Sequence, residues 1–392
     1  MNFKLRKNII SIILALVIVA GFSVPCIAAE DTEKSFDKVL LEDTLKYIKQ
    51  AVPKPSYGVV SGEWSVFDRA LSGAIDDEWY SIYLDSILGI LKENNGILHE
   101  RKYTEYSRVV MALTPLGIDA NHFNGLSVVA HLLDKDEKGD YVANWQGRNG
   151  TAYALLALDC GGYFDNKDGQ DARANFIDTL VLNQRENGSW SISDTIDYSD
   201  IDVTGIIVQA LAPYYMDEQK LLNTGAKATS TELKAAVDKA LVFFKENSQN
   251  HYGSVEAATQ VVIALCALGR DPSNDNVVGN ALESVYAYYL GDGQWTHLLS
   301  DSGAASAGEV NQMAVEQAAY ALLAHSAYKE GKNLFDLGTR VQWHSNVSKE
   351  NARDVGSAQD KLELSISFAV LIPLVLILVY LVIRFKKKNE RK

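Results

Sequence analysis

The sequence predicts an all-α fold of about six helical hairpins in series, followed by a C-terminal transmembrane helix. Three observations predict it. An Ala-Leu pair recurs at Ala70-Leu71, Ala112-Leu113, Ala157-Leu158, Ala210-Leu211, Ala264-Leu265 and Ala321-Leu322. The intervals are 42, 45, 53, 54 and 57 residues, each long enough for two helices and two short connections. The stretches that carry these pairs alternate with more polar, amphipathic ones. Finally, Leu364 to Ile383 is a run of twenty residues without a charge, mostly Leu, Ile and Val.

The N-terminus opens on Lys4, Arg6 and Lys7, followed by an apolar run from Ile9 to Phe22 and small residues at Ala28 and Ala29. This charge, core and exit pattern predicts a secretory signal peptide over residues 1–29, the alternative being an uncleaved anchor. Pro25 directly before Cys26 makes a poor lipoprotein signal.

The repeat domain is predicted over residues 30–342. Its outer helices are expected at Leu40 to Gln50, Trp79 to Leu91, Asn175 to Leu182, Leu233 to Phe244 and Ala281 to Tyr289, with a weaker partner near Leu126 to Leu133. Inner helices carry the Ala-Leu pairs. The stretches Thr151 to Leu158, Asp202 to Leu211 and Ala258 to Leu265 have few charges on any side, and a helix that is apolar all round is buried all round. Glycine-bearing turns separate the two sets at Gly62-Glu-Trp64, Asn94-Asn-Gly96, Asn187-Gly-Ser-Trp190, Tyr252-Gly-Ser254 and Asp292-Gly-Gln-Trp295. Asp202 with Thr204, Glu256 and Asn311 are helix-start chemistry for three inner helices. No strand-like alternation of any length is present. Six hairpins can stack as an open solenoid or close into a ring, and the repeat alone does not choose between them.

Beyond the repeats, residues 343–361 are polar and read as a stalk, residues 362–383 as the membrane helix and residues 384–392 as a basic tail. At about 1.5 Å per residue the apolar run spans a hydrocarbon core of roughly 30 Å. Arg384, Lys386, Lys387, Lys388, Arg391 and Lys392 place the tail inside the cell and the repeat domain outside. No Leu-Pro-x-Thr-Gly precedes the run, so a permanent helix anchor is expected rather than covalent wall sorting.

The chain carries a net charge of −13. With both basic ends set aside, the outward part holds 28 basic and 48 acidic residues, a net of −20. Such a surface disfavours nucleic acid and anionic headgroups as partners. Cys160 and Cys266 are expected as small buried residues rather than a disulfide framework.

Gln184-Arg-Glu-Asn-Gly188-Ser-Trp190 resembles the Gln-x-x-x-Gly-x-Trp repeat of squalene cyclases and related terpenoid cyclases, in which Gln and Trp tie neighbouring hairpins together. Gln249 to Gly253 keeps the Gln and Gly but has Val255 in place of Trp. The stretches Gly147 to Asp159, Asp202 to Pro213, Ala257 to Pro272 and Asn311 to Leu322, with Ser107 to Leu113, resemble bacterial surface proteins carrying prenyltransferase-like repeats. The resemblance covers about residues 36–338. It implies the α/α toroid, a fold shared with the protein prenyltransferase β subunit and the vitamin B12 carriers.

The resemblance also frames the site. Squalene cyclases use an Asp-x-Asp-Asp-Thr segment to protonate an alkene. This chain has Asp200-Ile-Asp202-Val203-Thr204, with Val203 in place of the last aspartate. Asp202 is the candidate acid of that analogy, but the favoured reading makes it a helix cap with Asp200 in solvent, because Val203 breaks the acidic triplet. The seven histidines show no paired ligand spacing and no Asp-x-Cys stands in a suitable place, so no metal is implied, and no motif implies a cofactor. Candidate residues for a ligand mouth are Trp190, Asp200, Asp202, Glu256, Asn311, Glu316, Tyr153 and Tyr320. The leading expectation is a non-enzymatic, membrane-anchored extracellular binding module. It would take a small amphipathic ligand, a corrinoid being the most concrete, or a segment of another surface protein. The alternatives are a terpenoid-cyclase-like or glycan-active enzyme, and a purely structural surface protein.

Overall fold

A computed structural model describes residues 35–193, 195–302 and 306–337. The expected signal peptide, stalk, membrane helix and tail lie outside the described residues. Among the described residues no helix is long and apolar enough to cross a membrane. The chain divides into two units, Met1–Val39 and Leu40–Lys392. Of the first, residues 35–39 are described, and they hold the opening turn of a helix. Everything below concerns the second.

Twelve α-helices are described: α1 Phe36–Ala51, α2 Glu63–Leu71, α3 Asp77–Glu93, α4 Tyr103–Leu113, α5 Gly147–Cys160, α6 Lys167–Leu182, α7 Ile201–Met216, α8 Glu218–Thr224, α9 Ser230–Glu246, α10 Val255–Ala267, α11 Ala281–Tyr286 and α12 Gln312–Lys329. The fold is all-α, as the repeat predicts. The six helices bearing the Ala-Leu pairs are α2, α4, α5, α7, α10 and α12. They pack in chain order, each on the next, and α12 packs on α2. All thirteen residues of α10 are buried, as is α7 from Val203 to Ala212. These helices lack a wet face because protein covers every side.

The outer helices start where local chemistry allows. Before α9, Thr229 and Glu232 form a capping box: Thr229 Oγ1 accepts from Glu232 N at 3.2 Å, and Glu232 Oε2 accepts from Thr229 N at 2.8 Å. Asn166 caps α6 by accepting from Gly169 N, so α6 begins well before the Asn175 read from the pattern. The weak outer partner near Leu126 to Leu133 forms no α-helix. That stretch holds the 3-10 turn Val129–Leu133, in a connection punctuated by Gly117, Gly125 and Gly139, all at positive φ. Val129 and Leu132 still fill the core there. Helix α8, started by the Asp217 cap, was not legible in the sequence. The last outer helix ends at Tyr286 rather than Tyr289, because Tyr289–Gly291 pairs antiparallel with Gln294–Trp295. The expectation of no strand is corrected by this one short hairpin.

Two Gly-x-Trp turns do the same work. Gly188 sits at φ +83°, and a Cβ there would lie 2.4 Å from Lys239 O on α9. Gly293 sits at φ +75°, and a Cβ there would lie 2.2 Å from Asp43 O on α1. Only glycine supplies both the left-handed angle and the clearance. Each turn is pinned by its tryptophan. Trp190 Nε1 donates to Leu180 O at 2.8 Å, and Trp295 Nε1 donates to Thr44 Oγ1 at 2.9 Å. Gln184 Nε2 donates to Ala236 O at 2.6 Å and to Gly188 O at 2.9 Å, which joins the fourth hairpin to α9. Cys160 and Cys266 are buried and unbridged.

Candidate functional site

A cavity of about 250 Å³ is lined by the first two turns of all six inner helices. The contributions share one offset. Residues four apart line it from α4 (Thr104, Arg108), α5 (Asn149, Tyr153), α7 (Asp202, Ile206), α10 (Glu256, Gln260) and α12 (Met313, Gln317). Glu316 joins from α12 and Trp64 from α2, while Val59 and Val60 come from the loop before α2. One turn of helix brings residues i and i+4 onto the same face. The six helices therefore present equivalent faces, with their N-termini toward the cavity.

The cavity combines aromatic, acidic and apolar walls. The Trp64 ring stacks on Tyr320 at 5.4 Å between centroids and 23° between planes, and lies 5.8 Å from the Tyr153 ring. Val59, Val60 and Met313 line the cavity yet are about half exposed, which makes an apolar lip. Inside stand Asp202, Glu256 and Glu316. Burial, then Asp200 and Glu256, pushes the Asp202 carboxyl up to about 7, against an opposing effect of His297. Burial likewise pushes Glu316 up to about 7, although Ser65 Oγ donates to its Oε1. Glu256 Oε2 is 2.6 Å from His297 Nδ1. Arg108 lies 2.6 Å from Glu105 Oε2. Burial pulls its pKa down, but Glu105 and Glu63 outweigh that and raise it.

Beneath Trp64, one turn along α2, Asp68 is fully buried, and neither of its carboxylate oxygens has a hydrogen-bond partner. Burial and the nearby Glu316 hold it well above the usual carboxylate range. Gln209 Nε2 donates to Gln260 Oε1 at 2.6 Å, and Gln260 Nε2 donates to Gln317 Oε1 at 2.6 Å. This amide chain carries the polar lining across α7, α10 and α12.

The sequence-derived candidates separate into two groups. Asp202, Glu256, Glu316 and Tyr153 come together in the cavity. Tyr320 is fully buried behind its wall, against Trp64. Trp190 is 0 % exposed and belongs to the hairpin tie, so it is corrected from mouth to core. Asn311 is the N-cap of α12, accepting from Ala314 N, and does not line the cavity. The roles of the two aspartates also change. Asp200 is the cap of α7, accepting from Val203 N at 3.1 Å, while Asp202 turns into the cavity. An N-cap residue has extended angles, as Asp200 has at φ −119° and ψ 116°, whereas Asp202 is already inside the helix. Asp200→Ala should therefore lower stability by about 1 kcal/mol in a denaturant titration, an ordinary cap loss; no change would contradict the cap.

Trp64, Thr104, Arg108, Asn149, Gln260 and Gln317 were missed as a set. Their signal is the shared four-residue offset just after each inner-helix start, visible once the repeats are aligned. Among the described residues no group of three or more His, Cys, Asp and Glu side chains could hold a metal ion. Comparison with protein-family models, with curated proteins and with solved structures finds no match to this chain.

Proposed function

We propose that this protein is a membrane-anchored extracellular binding module built on an α/α toroid. Its ligand is a small amphipathic molecule held at the inner-helix N-termini. The observation that carries the reading is the cavity itself, with an apolar lip outside and aromatic, amide and acidic groups within. The succession of inner helices from α2 to α12 and back to α2 supports the toroid. At about 250 Å³ the cavity is below the range of roughly 300–1,000 Å³ typical of drug-sized ligands. The occupant is therefore compact or inserts only one end. A corrinoid would enter by a side arm, its ring resting outside.

The test is calorimetry on the full chain in lipid nanodiscs, with phenethylamine, phenethyl alcohol, phenylacetate and cyanocobalamin as probes. Saturable binding of at least one probe is expected, weakened about tenfold by Met313→Trp, which fills the mouth from a half-exposed position. Absence of saturable binding by all four defeats the reading.

One observation favours a second reading, acid catalysis in the manner of a terpenoid cyclase or a glycan-active enzyme. A carboxyl near 7 in a cavity, as at Asp202, is poised to deliver a proton at neutral pH. Cyclic products from short polyprenes that disappear in Asp202→Asn would establish it in place of the binding module.

A further inference from the structure

The charges around the cavity do not balance. Asp202, Glu256 and Glu316 line it, and Arg108 is the one lysine or arginine among the lining residues. Arg108 is already engaged by Glu105 at 2.6 Å. Glu256 has His297, itself partly exposed. Among the described residues no lysine or arginine pairs with Asp202 or Glu316. Asp202 faces Asp200, Glu256 and His297, while Glu316 faces Ser65, Gln312 and Glu63, with Asp68 close by. Six helix N-termini point at these groups, and a helix N-terminus favours a carboxylate. That help is insufficient, since Asp202 and Glu316 are held up at about 7 rather than lowered. Burial and neighbouring carboxylates outweigh the helix dipoles, so above about pH 7 the ionised acids lack a positive partner.

A neutral ligand would leave that deficit in place, and an anion would deepen it. An organic cation would remove it. The walls suit one: an ammonium is attracted to the face of an aromatic ring, and Trp64 and Tyr153 line the cavity with the acids. Asn149 Oδ1, which has no hydrogen-bond partner, offers a further acceptor. Outside, the lip of Val59, Val60 and Met313 would cover an apolar arm. We propose that the cavity takes an amine with an apolar arm, its ammonium among Asp202, Glu256 and Glu316 against Trp64 and its arm on the Val59–Val60–Met313 lip. This rests on the binding reading above and names the ligand class for the same cavity.

Binding of the ammonium requires ionised carboxyls. The cation therefore displaces protons from Asp202 and Glu316, and its affinity grows as pH rises through about 7. Phenethylamine, phenethyl alcohol and phenylacetate share one shape and differ in charge, so they isolate the effect. At about pH 8 the full chain in nanodiscs should bind the amine at least about tenfold more tightly than the alcohol, and the acid least. Between about pH 8 and pH 5.5 the amine should lose about fivefold or more in affinity, while the alcohol changes less than about twofold. Calorimetry in buffers of different ionisation enthalpy should show proton release on amine binding alone. Asp202→Asn should weaken the amine about tenfold at pH 8 and flatten its pH profile. Alcohol binding as tight as amine binding, with no proton release, overturns the cation proposal and leaves the binding module standing. Binding of none of the three overturns the cation proposal, and only if cyanocobalamin also fails to bind does the binding module fall with it.

Discussion

Trp190→Ala should destabilise the domain by roughly 3–5 kcal/mol in urea or thermal unfolding, the usual result of truncating a buried aromatic. The ring is 0 % exposed, and its Nε1 satisfies Leu180 O at the end of α6. Removing it leaves both a void and an orphaned carbonyl. Trp295→Ala should cost about as much, because Trp295 is equally buried and its Nε1 holds Thr44 on α1. Changes below about 0.5 kcal/mol would mean that these turns do not pin the hairpins.

Asp202→Asn should raise stability at neutral and higher pH. The carboxyl goes from an ordinary 3.8 to about 7 on folding. The folded chain keeps the proton between those values, while the unfolded chain has lost it. The contribution of Asp202 to wild-type stability should therefore be most favourable below about pH 4, fall as pH rises through that window and level off above about 7. The shift of about three units corresponds to roughly 4 kcal/mol as an upper bound, reduced by whatever water reaches the cavity. The asparagine variant should be more stable than wild type by roughly 1–4 kcal/mol at pH 8 and about equal near pH 4. Equal stability at every pH between 4 and 8 would place Asp202 in solvent. The cap itself should be untouched, since Asp200 supplies it.

How much of this was legible in the sequence depended on the kind of signal. The inner helices were, because the Ala-Leu pairs mark a period that nothing interrupts, and all six fall inside observed helices. Outer helices with clear amphipathic faces, such as α3 and α9, were found to within a few residues. The outer partner of α5 was not resolved as non-helical, because its apolar residues Val129 and Leu132 keep helical spacing within one turn while glycines break the chain on both sides. The acids Asp202, Glu256 and Glu316 were found because each stands near an inner-helix start. Asp200 and Asp202 exchanged roles because a cap and a first-turn residue differ by only two positions. Trp190 was read both as a hairpin tie and as a mouth residue, and only the tie holds, because a Gly-x-Trp turn looks the same whether its ring faces a ligand or a core. Arg108 and Asn149 gave no signal alone, since only the packing of neighbouring repeats makes their offset meaningful.

The contact between Trp295 and Thr44 joins positions 251 residues apart, and Ser65 with Glu316 spans an equal distance. Most other hairpin contacts are between neighbours in the chain and can form as soon as both partners have left the ribosome. This seam must wait until almost all of the described chain has been synthesised. Long-range closure of this kind slows folding and leaves the exposed sides of the first and last hairpins open to foreign partners meanwhile.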